Sequence, residues 1–320
     1  MELPKLQPMT VPQILWQSLK VCLRNIFSLL GIYVLVHIPY AALRLAYVAY
    51  GMGGDTTKML DNAEDWKSLI LEIPQGIFLE FLAIVIGFVF SAGVFKSVSE
   101  YYLSGKRGPI AAYRGIWPRM GTLLMAAVLH IGLLLGGLAA MALLSGVNCA
   151  LSILLFRLDA MLLSVIPMLL FFGELAALAV LAIVVLIWLS LTVQCIMAEQ
   201  LSAWKGMKRS RELTKRCMGR VFAIGLILMG ASFLATWLLG WDDDQLHRRM
   251  LWLGITDAAI LRQIRYMLVS LLFVPFGAVV MAHVYFDLVG RKDRVRTEVP
   301  GEVEESEAPE IPWPDSWAQR

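Results

Sequence analysis

The sequence predicts an all-α integral membrane protein whose six transmembrane helices form three hairpins, each preceded by a cytoplasmic interfacial segment. Three observations carry that reading. Hydrophobic residues make up 58% of the 320 residues and charged residues 17%, with a mean hydropathy of +0.69, a balance well outside that of soluble chains. The apolar residues gather into runs that match the roughly 20 residues needed to cross a core about 30 Å thick. Lys and Arg fall mostly in alternate loops, which orders those runs across a bilayer.

The six runs extend from Ile26 to Tyr47, Ile73 to Phe95, Gly121 to Leu144, Leu175 to Met197, Val221 to Trp241 and Met267 to Val289. The first is rich in Tyr, contains Arg44 and lacks a small-residue cleavage site, so it is expected to persist as a helix. Of the 28 basic residues, 20 lie on the N-terminal side and seven opposite, with Arg44 embedded. The positive-inside rule then places both termini in the cytoplasm. The outer segments GGDTTKMLDNAEDW and WDDDQLHRR are polar or acidic, in keeping with that orientation. Asn148 to Gly173 is nearly as apolar as its neighbours. A crossing there would move the richest basic segment outside, so the stretch reads as an elbow near Arg157 and Asp159 leading through Pro167 into span four. An interfacial, re-entrant or tilted placement each accommodates its length.

Residues 1–292 form the membrane domain, and 293–320 are expected to be a disordered acidic, Pro-rich cytoplasmic tail. From Thr297 onward Glu298, Glu302, Glu304, Glu305, Glu307, Glu310 and Asp315 stand among prolines, a composition that cannot bury a core. Trp313 and Trp317 near its end fit a solvated tail, a docking motif or a fold-back onto the basic helices. Cys22, Cys149, Cys195 and Cys217 form no CxxC pair and predict neither disulfide nor zinc site.

Three arginines, Arg24, Arg119 and Arg220, each lead an outgoing span at spacings of 95 and 101 residues. Duplication and a string of similar hairpins both account for this. The leading segments have helical period. Thr10 and Gln13 make a capping box with Pro12 in the first turn. Gln13, Gln17, Lys20 and Arg24 line one face, opposite Val11, Ile14, Leu15, Trp16, Leu19, Val21, Cys22 and Leu23. After Glu199, Lys205, Lys208, Arg209, Lys215, Arg216 and Arg220 share one arc, and Ala203, Trp204, Met207, Leu213, Cys217 and Met218 the other. Both segments read as helices in the cytoplasmic interface, where each basic residue near an anionic leaflet contributes roughly 1 kcal/mol. The six cations are therefore candidates for lipid headgroups or a partner, with topological anchoring as the plainer alternative.

The run AEQLSAWKGMKRSRELTKRCMGRVFAIGLIL, with Glu199, Arg209, Ser210, Leu213, Thr214 and Arg220, resembles the signature of the membrane domain associated with glycerophosphoryl diester phosphodiesterases. The closing YFDLVGRK, with Tyr285 and Asp287, resembles the ending of its sixth span, so the likeness covers roughly residues 10 to 292. It implies a six-helix bacterial membrane module. Arg216 stands where that family usually has glycine, which predicts a more continuous in-plane helix. The stretch holds no soluble segment of barrel length, so phosphodiesterase activity does not carry over.

Within the spans, Tyr33, His37, Tyr40, Arg44 and Tyr47 share one stripe of span one, and Gly76, Glu80, Ala83, Gly87 and Ser91 one stripe of span two. Glu80 is bracketed in depth by His37 and Arg44, so an ion pair or hydrogen bond locking the first hairpin is expected. His130 on span three extends the group to a proton or substrate path in the alternative reading. His283 and Asp287, four residues apart, read as a bonded pair rather than metal ligands. Asp242, Asp243, Asp244 and His247 read as an exposed helix cap rather than a metal site. The chain carries no HExxH, GxSxG, P-loop or paired membrane aspartates, so neither catalytic residues, cofactor nor metal are expected. The basic residues lie beside apolar faces, which argues against nucleic acid. The expected role is non-enzymatic: organising membrane lipids, anionic ones among them, or a membrane or cytoplasmic protein partner. The alternative is transport of a lipid or small solute through the bundle.

Overall fold

The computed structural model describes residues 9–49, 66–104, 109–157, 161–240 and 258–298. Among these, every regular element is helical. In chain order they are α1 (Val11–Arg24), α2 (Ile26–Ala49), α3 (Trp66–Ser104), α4 (Pro109–Ile116), a 3-10 turn (Trp117–Arg119), α5 (Met120–Arg157), α6 (Met161–Leu189), α7 (Thr192–Glu199), α8 (Ala203–Thr214), α9 (Met218–Gly240) and α10 (Ala258–Glu298). Six stretches, Ile26–Tyr47, Ile77–Tyr102, Pro109–Leu155, Leu169–Glu199, Met218–Leu238 and Tyr266–Arg291, are long and apolar enough to cross a membrane. They fall on the six runs the sequence marks out.

Each local boundary has a sequence cause. Thr10 is extended and caps α1, where the Gln13 side chain accepts its backbone N–H at 2.7 Å. Pro12 is tolerated because its missing N–H belongs to the first turn. Asn25 separates α1 from α2 and donates through Nδ2 to the Val21 carbonyl at 3.1 Å. Gln200 takes the left-handed conformation, φ 53°, and with Leu201 and Ser202 reverses the chain between α7 and α8.

One expectation about boundaries is corrected. The helix after Glu199 is not continuous to Arg220: α8 stops at Thr214, a turn occupies Lys215–Cys217, and α9 begins at Met218. The cause is local, since Thr214 Oγ1 donates to the Ser210 carbonyl and the Cys217 N–H to the Thr214 carbonyl, each at 2.9 Å. Among the described residues Gln200 is the only non-glycine with positive φ, so Arg216 meets no steric penalty in a turn where the resembling family carries glycine. The stretch from Asn148 is also helical through Arg157 and again from Met161, with Pro167 inside α6. Residues 158–160, where the elbow near Arg157 and Asp159 was expected, lie outside the described residues.

The core gathers at the end of the bundle where α1, α4, α7 and α8 meet the long helices. Ile14 and Val21 of α1, Leu29 and Ile32 of α2, Phe90, Val94 and Val98 of α3, Ile224 of α9, and Val279 and Val280 of α10 form one cluster. Ile116, Leu123, Ala126, Val193, Ile196 and Ala203 form a second beside it. α10 is central, packing on α1, α2, α3 and α9. We refer to this end, which also collects most of the described basic residues, as the basic end.

Candidate functional site

The most connected polar group at the basic end is built on Asp287 of α10, whose side chain is 1% exposed. Its Oδ2 accepts Arg220 Nη1 and Arg291 Nε, both at 2.9 Å, and its Oδ1 accepts the Met9 backbone N–H at 2.7 Å. The Met9 carbonyl in turn accepts Nη2 of Arg220 and, at 3.1 Å, Nη2 of Arg291. One residue ahead of α1 is thus clamped through both its backbone N–H and its C=O, tying the start of α1 to α9 and α10. A carboxylate with two guanidinium partners and a backbone donor is fully satisfied, as burial requires.

A second group lies on Glu199 at the end of α7. Arg209 Nε donates to it at 3.0 Å, with the nearer salt-bridge approach 2.9 Å to Oε2, and the Tyr285 hydroxyl donates to Oε1 at 3.1 Å. Burial by itself would lower the Arg209 pKa, but the Glu199 bond and charge outweigh it and hold the guanidinium above its ordinary value. Ser210, fully buried, donates to the Trp188 carbonyl at 2.6 Å and accepts the Leu191 N–H at 3.1 Å. It therefore satisfies backbone groups freed where α6 gives way to α7. Glu199, Ser210, Thr214, Tyr285 and Asp287 are all placed in this internal framework.

The six basic candidates divide. Arg209 and Arg220 turn inward to Glu199 and Asp287. Lys205, Lys208, Lys215 and Arg216 are exposed, and no carboxylate of the described residues lies within salt-bridge distance of them. Trp204, between the buried Ala203 and exposed Lys205, is 65% exposed rather than packed with the apolar arc. Trp16 and Trp117 are also exposed at this end. Lys20 stands 5.4 Å over Trp16, and Arg211 4.3 Å over Trp188.

His283 and Asp287 do not bond to each other, contrary to expectation. The Nδ1–H of His283 donates to the Val279 carbonyl at 2.9 Å, with Ser18 Oγ at 3.0 Å, and the Tyr102 hydroxyl donates to Nε2 at 2.8 Å; the tautomer follows from the carbonyl partner. With both ring nitrogens occupied and Asp287 held by arginines, the two are not arranged as metal ligands. Among the described residues no group of three or more His, Cys, Asp or Glu is placed to hold a metal. Asp242, Asp243, Asp244, His247 and the tail from 299 lie outside the described residues.

Of the four candidates within the spans, Arg44 and Glu80 come together as an expected pair, whereas His37 and His130 stand apart from them. Arg44 approaches Glu80 at 3.7 Å on a largely exposed surface and donates to the Tyr40 hydroxyl at 3.1 Å. His37 instead stacks on Tyr33 with ring centroids 4.0 Å apart and meets the edge of Phe90. His130 meets Phe88 edge to face at 5.6 Å. A cavity of about 220 Å³ lies elsewhere, lined by Leu144, Glu174, Ala177, Leu178 and Leu181.

Several positions of these networks carried little signal in the sequence. Ser18 reads as one small polar residue on an apolar face, and the Met9 peptide has no residue-type signature at all. Arg119 was marked only as a span leader, yet it donates to the Gln200 carbonyl at 3.2 Å and to Gln200 Oε1 at 2.8 Å, bracing the left-handed residue. Glu174 fell just outside the span-four window; its Oε2 is buried without a partner among the described residues. No family model, curated protein or solved structure matches this chain.

Proposed function

We propose that this chain is a multi-pass protein of the bacterial cytoplasmic membrane, with both termini in the cytoplasm, that organises lipids or partner proteins at its basic end without catalysing a reaction. The observation that carries the reading is the division among its cations. Arg209 and Arg220 are engaged internally, whereas Lys205, Lys208, Lys215 and Arg216 remain exposed beside Trp204. Four exposed cations with no carboxylate of the described residues in salt-bridge reach, next to an exposed tryptophan, suit an anionic leaflet, each contributing roughly 1 kcal/mol. α1 supports the same placement as an amphipathic interfacial helix: Ile14, Ser18 and Val21 face the core while Trp16, Lys20, Leu23 and Arg24 face outward. The excess of Lys and Arg on this side supports the orientation. The resemblance to the phosphodiesterase-associated membrane domain is likewise a proposal, supported by the joining of its motif residues into neighbouring internal networks; it brings no phosphodiesterase activity.

The test is native mass spectrometry of protein released from anionic membranes, comparing the wild type with a Lys205→Gln, Lys208→Gln, Lys215→Gln, Arg216→Gln variant. The expected result is retained anionic phospholipid on the wild type and about tenfold less on the variant, with zwitterionic lipid unchanged; the four charges set an upper bound well above this. Equal retention would refute the lipid reading, and a co-purifying protein lost in the variant would select the partner reading. Transport of a lipid or small solute is the second reading, favoured by the unpartnered Glu174 oxygen beside its cavity. Against it, that cavity is otherwise lined by Leu and Ala, and His37, Glu80 and His130 each have separate surroundings.

A further inference from the structure

We infer that the acidic C-terminal segment of this same chain, residues 299–320, seats on the exposed cationic face of α8 and the following turn, and so competes with anionic lipid for it. The inference rests on reading that face as the anionic ligand site. Charge complementarity is the first ground. Lys205, Lys208, Lys215 and Arg216 are exposed and lack a described carboxylate partner, while the segment carries Glu302, Glu304, Glu305, Glu307, Glu310 and Asp315 against a single base, Arg320.

Where the segment begins is the second. α10 continues to Glu298, 11 residues beyond the Asp287 that binds Arg220, or about 17 Å of helix. Arg220 lies three residues past the Lys215–Cys217 turn, in the first turn of α9, so the tail departs about 17 Å of helix from a residue next to the cations. Its 22 residues reach at most about 70 Å, ample for every one of them. The tether is the third, because a weak ligand joined covalently close to its site acts at an effective concentration in the millimolar range. Trp313 and Trp317 add aromatic faces of the kind Lys and Arg stack on, as Arg211 already does on Trp188.

Other clusters do not reach as far. Ser18, His283 and Tyr102 are satisfied by one another and by backbone, and Arg44 already has Glu80 beside it.

The test uses the full chain in neutral detergent free of anionic lipid, treated with a zero-length carbodiimide that joins carboxylates to amines, with the linked peptides identified by mass spectrometry. Links from Glu302–Glu310 to Lys205, Lys208 or Lys215 within one copy are expected. They should vanish at roughly 1 M salt, where the Debye length is about 3 Å, and in a variant with Glu302, Glu304, Glu305, Glu307 and Glu310 all changed to Gln. Links only between copies, or only to lysines elsewhere, would overturn the inference. In a parallel titration with short-chain phosphatidylglycerol, a chain ending at Glu298 and the Glu→Gln tail variant should both bind about fivefold more tightly than the full chain, as a competitor at millimolar effective concentration requires. Identical affinities with lipid still bound by all three would overturn the competition while leaving the lipid reading intact. No lipid binding by any of them would defeat the lipid reading and the competition, and the crosslinks would still decide where the tail sits.

Discussion

Asp287 illustrates how one residue can hold several elements, because Met9 ahead of α1, Arg220 of α9 and Arg291 of α10 all meet on its two oxygens. Removing the carboxylate leaves two guanidinium groups facing each other, one of them 17% exposed. Asp287→Asn is therefore expected to destabilise the protein by about 3 kcal/mol, read as a lower thermal midpoint in detergent, with Arg291→Gln costing less because Arg220 still neutralises the acid. A midpoint unchanged in Asp287→Asn would show that the Met9 clamp does not hold the bundle. Both ends of the main pair were marked in the sequence, Arg220 as the arginine that leads an outgoing span and Asp287 within YFDLVGRK. What was not legible was their meeting, since 67 positions separate them and cross-helix pairing leaves no period to read. The i, i+4 rule paired Asp287 with His283 instead, and that failed because a carboxylate with two arginines in reach has the stronger partners.

At the scale of elements, hydropathy found all six long apolar helices, yet its windows of about 20 residues undercut their lengths: α3, α5 and α10 run to 39, 38 and 41 residues. The period also marked α1 and α8 but missed the break after Thr214, where side-chain bonds to backbone decide. The contact between α7 and α8 has its own signature in Gly206, whose added Cβ would meet Ile196 Cγ1 at 2.5 Å. Ile196 is fully buried and cannot turn away, so Gly206→Ala is expected to cost about 1–3 kcal/mol as an overpacking change. Gly219, at the start of α9, has nothing within 4 Å of the equivalent atom. Gly219→Ala should then gain up to about 1 kcal/mol of helix propensity. Thermal midpoints of the two variants decide it, and the reverse order would mean that α7 and α8 are not in close contact. The glycine was visible in the sequence; its meaning was not, because the clash depends on a neighbour ten residues away across a reversal.

Over the whole molecule, close packing at the basic end contrasts with exposed apolar surface toward the far end of α5 and α6. Leu143, Val147, Ile153 and Leu154 on α5, and Leu169, Leu170 and Phe172 on α6, are all exposed. At 38 residues α5 is about 57 Å long, nearly twice a hydrocarbon core of about 30 Å. A tilt at the upper limit of about 40° accommodates only about 39 Å of that length. Leaving the remainder in water would cost roughly 25 cal/mol for each Å² of apolar surface, so lipid or another protein surface has to cover it. Cys149 reports on this directly: it is exposed on α5 and lies 29 residues, about 44 Å, from Met120. In intact membranes it is expected to react with an uncharged, lipid-soluble maleimide at least tenfold faster than with a charged, impermeant one, after allowance for their rates with a free thiol. Cys22, partly buried and with its thiol pKa raised by that burial, should react slowly with the lipid-soluble reagent. Fast labelling of Cys149 by the impermeant reagent would place this part of the hairpin in water, and the inference that apolar matter covers it would fail.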